Sequence, residues 1–207
     1  MSNTAKVVIA VPNMGSLHTS LAELLIRWHT IPTPGVGEIA LFAPQRLQPH
    51  DTARNWCVKK FLEETDATHI FFVDSDVIPP KDALEKLLAA DVDVISGAYP
   101  IKKMNQNESR IETVYALFSF KDGDDNLYPI KSGSGIAEID RAGAGCLLIR
   151  RNVFDEISKP YFKWQYDAEG LMERGEDMEF CKKVKEAGIP IHAHFDVVCQ
   201  HSKEILL

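Results

Sequence analysis

The sequence has little cysteine, no excess of positive charge and no long apolar run. Its 207 residues include only four cysteines, which are far apart and form no C-x-x-C pair: Cys57, Cys146, Cys181 and Cys199. Each lies in an apolar stretch, which is typical of reduced, buried thiols and indicates a cytoplasmic protein. No segment approaches the roughly 18 uninterrupted apolar residues of a transmembrane helix. The N-terminus lacks the longer apolar region of a secretory signal, so a strand is expected there.

The balance of charge is negative. Lys and Arg together number 23 against 30 Asp and Glu, a net charge of −7 with histidine neutral. Because no basic face shows in the sequence, nucleic acid is not expected as the main partner. The hydrophobic fraction of 45% and the charged fraction of 26% exclude a disordered or collagen-like chain. Without repeats or a linker, the length predicts one domain over 1–207, with halves of about 1–100 and about 101–207.

The first half alternates apolar strands with amphipathic helices. KVVIAV, at Lys6–Val11, has no polar alternation and is typical of a strand covered on both faces. Leu17–Trp28 then has apolar residues at helical spacing. Further strands are predicted at Glu38–Phe42, His69–Val73 and Asp93–Ser96, and helices near Asp51 or Thr52 and after Pro79–Pro80. This order predicts an α/β fold with a mostly parallel sheet and helices on both faces.

The second half has a different pattern. Lys102–Glu108 is polar and is expected to be a mobile loop, which could act as a lid. Val114–Phe120 and Leu127–Ile130, joined by a turn at Asp122–Asn126, predict an antiparallel hairpin inserted in the fold.

Two carboxylates follow the strand HIFFV. In an extended chain alternate residues point the same way, so Asp74 and Asp76, on either side of Ser75, leave the strand end together. The carboxyl ends of parallel strands are where α/β sheets bind ligands. Two hard oxygen donors there suit Mg²⁺ or Mn²⁺ that completes its shell with phosphate oxygens and water. The alternative is a plain turn, in which Asp74 caps the following segment and Asp76 is solvated.

A second acidic group opens the last predicted helix, which runs from Gly175 to Gly188. Asp177 lies at the top of its inward-facing stripe, and a carboxylate in the first helical turn is stabilised as the anion that a general base requires. Glu176 is the neighbouring candidate, whereas Glu179 is expected on the solvated face. The alternative is that Glu176 and Asp177 only favour the helix N-terminus.

Histidines and a cysteine lie close together near the C-terminus. The group consists of His192, His194, Cys199 and His201. A zinc site is one interpretation, but no second ligand pair accompanies the group, and surface or core histidines are favoured. His201 follows the last predicted strand and could reach the sheet edge where Asp76 lies. An imidazole beside two carboxylates is a workable Mn²⁺ site.

Arg54 and Asn55 lie in the first turn of the second predicted helix. Because backbone amides at a helix N-terminus favour anions, a phosphate contact is one interpretation, and a surface ion pair is the other. The buried side of that helix is expected to carry Ala53, Trp56, Cys57 and Phe61.

Taken in order, these segments resemble the GT-A glycosyltransferases, and especially compact family 2-like members. The matching elements run from about Lys6 to His201: VVIAVP, ARN, HIFFVDSDVIPP, AGAGCLLIRRNVF, GEDMEFCKKVKEAG and CQH. The resemblance implies a single GT-A domain with a Rossmann-like sheet, whose first half binds the nucleotide donor and whose second half faces the acceptor. It implies a metal-dependent enzyme that transfers a hexose from a UDP- or GDP-linked sugar to an acceptor hydroxyl.

The resemblance also implies roles for individual residues. Asp76 would ligate Mn²⁺ or Mg²⁺ directly, with Asp74 nearer the donor's ribose or a metal-bound water, and His201 would complete the metal site. Asp177 would be the base of an inverting enzyme or would position the acceptor in a retaining one. The other predicted donor-site residues are Pro12, Arg54, Asn55, Ser75, Gly143 and Gly145.

The sequence is also compatible with two other functions. HIFFVDSDVI also resembles the nucleophile strand of haloacid-dehalogenase-type phosphatases, in which Asp74 would attack phosphorus and Asp76 would act as acid and base. Those enzymes place this strand first in the fold, whereas two predicted strands precede it here. The other alternative is a non-catalytic sugar- or nucleotide-binding module, although such a module has no need of Asp76, Asp177 and His201 together.

Overall fold

The computed structural model describes residues 4–105, 110–121 and 123–202. In chain order the strands are β1 (Ala5–Ala10), β2 (Val36–Phe42), β3 (His69–Val73), β4 (Val77–Ile78), β5 (Val94–Ala98), β6 (Pro100–Asn105), β7 (Arg110–Tyr115), β8 (Leu117–Lys121), β9 (Asp124–Pro129), β10 (Ile136–Ile139), β11 (Arg141–Ala142), β12 (Cys146–Arg150), β13 (Gln165–Tyr166), β14 (Met172–Arg174), β15 (Ile191–Val198) and β16 (Gln200–His201). The helices are α1 (Thr19–Thr30), α2 (His50–Glu64), α3 (Ala83–Ala89), α4 (Val153–Glu156) and α5 (Glu176–Glu186).

Seven strands form the central sheet, in the order β10-β15-β5-β12-β3-β1-β2. β1 pairs parallel with both β2 and β3, and β15 pairs parallel with β5. β12 lies antiparallel between β3 and β5, and β10 is antiparallel to β15 at the edge. Five strands therefore share one direction and two oppose it, which confirms the predicted mostly parallel α/β sheet.

Alternate residues of the central strands face opposite sides of the sheet. Ile70 and Phe72 of β3 belong to one hydrophobic cluster, and Phe71 and Val73 belong to the other. Helices α2, α4 and α5 cover the first side, and α1 and α3 cover the second. Since fully burying a large apolar side chain contributes about 1.5–3 kcal/mol, these two layers are the main stabilising term.

Helix α2 buries Ala53, Cys57 and Phe61, as the sequence predicts, but it begins earlier than expected. Its N-cap is Pro49, so neither Asp51 nor Thr52 caps it. Trp56, predicted to face inward, is 37% exposed, whereas Arg54 is only 4% exposed. The helix turns a cation toward the sheet because carboxylates from other elements are there to pair with it.

Antiparallel hairpins make up much of the second half. β6 pairs with β7, β8 with β9, and β13 with β14. The predicted strand Val114–Phe120 is interrupted at Ala116, so its two parts belong to different hairpins. Of the predicted loop 102–108, residues 102–105 lie in β6, because strand pairing uses the backbone and does not require apolar side chains. Positions 106–108 lie outside the described residues.

Two further features concern the environment of the chain. No helix in the described ranges is both long and apolar enough to cross a membrane. All four cysteines are buried free thiols, which confirms the prediction made from their apolar surroundings.

Candidate functional site

Polar side chains gather at one edge of the central sheet. The carboxyl ends of β1, β3 and β5 meet there, since these strands run in the same direction. β12 runs the opposite way, so the segment before it, Gly143–Gly145, reaches the same edge. Helix α5 is joined to this segment through Ala142, whose amide donates to the Cys181 thiol at 3.3 Å. Open α/β sheets bind their ligands at such an edge.

Asp76 and His201 form a pair at this edge. β16 pairs antiparallel with β4, so His201 lies opposite Val77, the residue after Asp76. The Ser202 amide donates to the Asp76 carbonyl at 2.8 Å, which holds the two segments together. The imidazole Nε2 lies 3.1 Å from Oδ2 of Asp76. The Asp76 side chain is 47% exposed, so the pair is accessible to a ligand.

The hydrogen bonds of His201 define what its ring can do. Nδ1 lies 2.7 Å from the Pro100 carbonyl, which can only accept, so Nδ1 carries a proton. In the neutral ring Nε2 carries a lone pair that faces a carboxylate oxygen of Asp76. Two hydrogen-bond acceptors 3.1 Å apart repel each other. The contact is favourable only when a second proton or a cation lies between them. This nitrogen and oxygen set fits a divalent cation such as Mn²⁺.

The predicted third metal ligand, Asp74, does not join this pair. Its Oδ1 accepts a hydrogen bond from Nη2 of Arg54 at 2.8 Å. In the described ranges, no three His, Cys, Asp or Glu side chains lie close enough together to hold a metal ion. The predicted set of Asp74, Asp76 and His201 is therefore not assembled, because the guanidinium competes for Asp74. Two protein ligands leave most of a six-coordinate shell to other oxygens.

Arg54 is the centre of a buried ion-pair network. Besides its contact with Asp74, its Nε lies 3.2 Å from Oε1 of Glu176, and its Nη1 lies 3.4 Å from the Ala144 carbonyl. The guanidinium also lies over the Phe72 ring, 5.4 Å from its centroid. Burial by itself lowers the pKa of Arg54, but the nearby carboxylates outweigh it and raise the pKa above its ordinary value. Arg54 thus joins the end of β3 to the start of α5, and these internal contacts argue against the predicted phosphate contact.

Both glutamates of the α5 N-terminal half are buried. Oε1 of Glu176 accepts a hydrogen bond from Nε of Arg54, and the residue is 6% exposed. Glu179, predicted on the solvated face, is 6% exposed and accepts a hydrogen bond from Nη1 of Arg174 at 2.8 Å. Helical periodicity misassigned Glu179 because an arginine from the preceding strand covers it. Of the two predicted catalytic carboxylates, Asp177 is the more exposed, and a catalytic role for either stays a prediction.

Asp177 is half-buried in the first turn of α5, beside this network. Its Oδ1 accepts a hydrogen bond from the Met178 amide at 2.7 Å, and no residue in the described ranges donates to Oδ2. Burial, and then the negative charge of Glu176, raises the pKa of Asp177 to about 6. A carboxylate with an elevated pKa and one uncommitted oxygen is suited to accept a proton near neutral pH.

Tyr99 fills the space between the glycine segment and His201. Its ring lies edge-on to the imidazole with centroids 5.8 Å apart, and its hydroxyl accepts a hydrogen bond from the Gly145 amide at 3.3 Å. A Cβ on Gly143 would lie 2.0 Å from the Tyr99 hydroxyl oxygen, and one on Gly145 would lie 2.8 Å from Cζ. Both glycines are needed because Tyr99 passes this close to the backbone, and their contact with a donor sugar stays a prediction. Sequence reasoning missed Tyr99, whose position directly after β5 was the available signal.

Gly143→Ala is expected to destabilise the protein by about 1–3 kcal/mol, the usual cost of forcing extra atoms into a packed interior. The new methyl group would displace Tyr99, and with it the hydrogen bond to Gly145 and the contact with His201. Urea unfolding of the purified variant measures the effect. The same substitution in a Tyr99→Phe background should cost less, since the clashing hydroxyl is gone. If Gly143→Ala were as stable as the wild type, the close approach of Tyr99 to Gly143 would be contradicted.

The remaining predicted donor-site residues lie around the same edge. Asn55 is engaged within the protein: its Nδ2 donates to the Phe162 carbonyl at 2.7 Å, and its Oδ1 accepts from the Phe162 amide at 3.2 Å. It therefore holds the segment after α4 in place. Ser75 and Pro12 are half-buried, and the Ser75 carbonyl accepts from the His18 amide at 3.1 Å. Their contact with a donor stays a prediction.

The other members of the C-terminal histidine group are separate from this site. His192 and His194 lie in β15 and pair across the sheet with Glu138 and Ile136 of β10. His201, by contrast, lies in the ribbon formed by β16 and β4. The zinc interpretation of the group gains no support in the described part of the chain, where no metal-binding cluster of these residue types forms.

Comparison with known proteins identifies the class of fold. The chain matches no protein-family profile and no curated protein. Among solved structures it is similar to A197 from STIV, with a TM-score of 0.58 and 20% identity over 96% of this chain and 86% of that chain. It is also similar to GalNAc-T7 solved with UDP, GalNAc and Mn²⁺, with a TM-score of 0.59 and 12% identity over 97% of this chain. The match spans only 44% of the GalNAc-T7 chain. At these identities the likeness establishes the fold alone, which is GT-A-like.

Proposed function

We propose that this protein is a metal-dependent glycosyltransferase that moves a sugar from a nucleotide-diphosphate sugar to an acceptor hydroxyl. The observation that carries the proposal is the Asp76–His201 pair, in which a ring nitrogen and a carboxylate oxygen lie 3.1 Å apart at the ligand-binding edge of a GT-A-like fold. The similarity to GalNAc-T7, solved with UDP, GalNAc and Mn²⁺, supports a UDP- or GDP-linked donor and Mn²⁺ or Mg²⁺ as cofactor.

Asp76 and Nε2 of His201 would hold the cation, which when bound supplies Lewis-acid neutralisation of the charge on the departing diphosphate. The Pro100 carbonyl fixes the tautomer of His201, and the β4–β16 ribbon fixes its distance from Asp76. Asp74 is oriented by Arg54 through Oδ1, so it offers its other oxygen as an acceptor for the donor's ribose hydroxyls.

Asp177 would act on the acceptor. In an inverting reaction its Oδ2 takes the proton of the acceptor hydroxyl while that oxygen attacks the anomeric carbon, and the diphosphate leaves with the electrons of the broken bond. In a retaining reaction the same carboxylate would position the acceptor. The elevated pKa of Asp177 favours the first role, because it makes the carboxylate a stronger base than an exposed aspartate.

The first test is the linkage between nucleotide and metal. UDP or GDP is expected to stabilise the protein only when Mn²⁺ or Mg²⁺ is present, because the diphosphate binds through the cation. At a ligand concentration of about 100 times Kd the gain is about 2.7 kcal/mol, which thermal unfolding detects readily. Excess chelator should abolish the gain in the wild type. Asp76→Asn should lose it at every metal concentration tried.

Equal stabilisation by UDP in chelator and in Mn²⁺ would contradict the metal-bridged site. Metal-dependent binding without transfer to any acceptor would favour the non-catalytic binding module. Release of inorganic phosphate from simple phosphomonoesters would favour the phosphatase. The phosphatase alternative requires Asp74 as nucleophile, and the ion pair of its Oδ1 with Arg54 argues against that role.

A further inference from the structure

Arg141 is not explained by the donor site. It lies in β11, two residues before Gly143, and is 8% exposed. Its guanidinium makes one hydrogen bond in the described ranges, from Nη1 to the Asp140 carbonyl at 2.8 Å, and its buried Nε has no partner there. Buried polar groups are nearly always hydrogen-bonded, and an arginine stays charged. The guanidinium also lies over the Phe120 ring, 5.5 Å from its centroid. Arg141 is therefore a largely buried cation that lies against an aromatic ring and has hydrogen-bond donors left over for an acceptor of opposite charge.

A second arginine lies in the same region. Arg174 ends β14 and donates from Nη1 to Oε2 of Glu179. Both arginines lie beside α5, since Arg174 binds Glu179 and the residue after Arg141, Ala142, contacts the Cys181 thiol. Burial lowers the pKa of Arg141, and the positive charge of Arg174 also lowers it, against the raising effect of Cys181, Asp140 and Glu179. The nearby carboxylates are engaged elsewhere, since Glu179 binds Arg174 and Asp140 lies 3.5 Å from Nζ of Lys185. Neither carboxylate makes a hydrogen bond or an ion pair with the guanidinium of Arg141.

Both arginines flank the start of α5, which carries Asp177. Arg174 is three residues from Asp177, so their Cα atoms are at most about 11 Å apart. Arg141 precedes Ala142, whose backbone contacts the Cys181 thiol on the same helix. The α5 N-terminus has Gly175 as its N-cap and no side-chain cap, so its amides add to the favourable potential for an anion. A group bound between the arginines would lie close to the proposed base.

We propose that Arg141 and Arg174 bind an anionic group of the acceptor, a phosphate, sulfate or carboxylate, and so select a charged acceptor over a neutral one. The inference rests on the proposed function, because it assigns the acceptor of that same site. A planar guanidinium recognises oxyanions through paired, charge-assisted hydrogen bonds. The protein as a whole is acidic, with a net charge of −7, so it repels anions except where cations are gathered locally.

Matched sugars that differ in one group test the proposal. Glucose 6-phosphate, glucuronate and glucose are titrated calorimetrically into the 207-residue protein, without metal or nucleotide. At least one anionic sugar should bind about tenfold or more tightly than glucose, since each charge-assisted hydrogen bond contributes roughly one power of ten in affinity. The two anionic sugars distinguish a phosphate subsite from a carboxylate subsite. Equal binding of all three sugars, or binding of none, overturns the proposal.

Three variants assign the effect to the arginines. Arg141→Gln should reduce binding of the anionic sugar about tenfold or more, and Arg174→Lys, which keeps a cation for Glu179 but loses the guanidinium fork, should reduce it several-fold. Arg27→Gln, an exposed arginine in the last turn of α1, is the matched control and should bind as the wild type does. Unchanged binding in both Arg141→Gln and Arg174→Lys overturns the proposal. If Arg141→Gln does not fold, Arg174→Lys decides alone.

The proposed function and the anion subsite can fail separately. Metal-dependent stabilisation by UDP or GDP tests the first and does not involve Arg141, whereas titration with anionic sugars tests the second and involves neither metal nor nucleotide. Thermal unfolding of Arg141→Gln checks that the variant is folded in the titrations, because the substitution removes the hydrogen bond to the Asp140 carbonyl and the contact with the Phe120 ring. If Arg141 were purely structural, the folded variant would keep the wild-type preference for the anionic sugar, which overturns the proposal.

Discussion

Asp177→Asn is expected to lower sugar transfer by about 10²–10⁴-fold and to leave donor affinity nearly unchanged. The asparagine has the size of the aspartate and can still accept the hydrogen bond from the Met178 amide, but its side chain cannot take a proton. The lost step is therefore proton transfer and not binding. Transfer rates measured beside donor binding by calorimetry separate the two quantities.

Asp76→Asn is the contrasting variant. It replaces a charged metal ligand by a neutral one, so metal-dependent nucleotide binding and transfer should fall together. Near-normal turnover in Asp177→Asn would mean that Asp177 is not the base and only favours the N-terminus of α5. Weakened donor binding in Asp177→Asn, equal to that in Asp76→Asn, would contradict the separation of the two roles.

The raised pKa of Asp177 predicts different pH dependences for the wild type and for Asp177→Asn. Because the base must be ionised, the rate of transfer by the wild type should rise with pH through about 6, and Asp177→Asn should lack this rise.

The stability of the protein should also depend on the ionisation of Asp177. The folded protein holds the Asp177 proton more tightly than the unfolded chain does, so the wild type loses stability as pH rises from 3.8 to about 6. Above pH 6 the asparagine variant should therefore be at least as stable as the wild type, which urea unfolding measures.

Arg54→Met is expected to destabilise the protein by about 3–5 kcal/mol, the usual cost of removing one partner from a buried ion pair. Methionine replaces much of the apolar part of the side chain, but Glu176 would remain buried without a counter-charge, and Asp74 would lose the contact at 2.8 Å. The loss should appear in urea unfolding as a lower midpoint with an unchanged slope.

Two controls separate charge from packing. Arg151→Met also removes a partly buried arginine, but that guanidinium binds the backbone carbonyls of Phe61, Leu62 and Ala67 and no carboxylate, so its loss should be smaller. Adding Glu176→Met to Arg54→Met should restore part of the stability, since most of the buried charge is then gone. Equal losses of stability in Arg54→Met and Arg151→Met, with no recovery in the double variant, would contradict the view that Arg54 stabilises the protein through its ion pairs.

Much of the fold could be predicted from local pattern. The unbroken apolar runs at β1 and β3 indicated buried parallel strands, and both lie inside the sheet with a neighbouring strand on each side. The last predicted helix begins at Glu176, directly after Gly175, and is followed by Gly188 with φ +77°. These two glycines were the predicted limits of the helix. These features depend on residues a few positions apart, which a single sequence contains in full.

The partners of the charged residues could not be predicted in this way. Arg54 and Glu176 are 122 positions apart, and nothing near either residue indicates that they meet in the core. Most of the predicted buried face of α2 is confirmed, but Trp56 is exposed and Arg54, which pairs with Asp74 and Glu176, is buried. Long-range pairing of charges overrides a preference that hydrophobicity alone would set.

The sequence by itself determined which residue types could do chemistry and that Asp74, Asp76 and Asp177 follow a strand end or open a helix. Only the tertiary structure decided how these carboxylates divide their roles: Asp76 pairs with His201, Asp74 and Glu176 share Arg54, and Asp177 keeps an uncommitted oxygen. The physical reason is that a carboxylate's chemistry depends on which charges and donors surround it, and those neighbours come from distant parts of the chain.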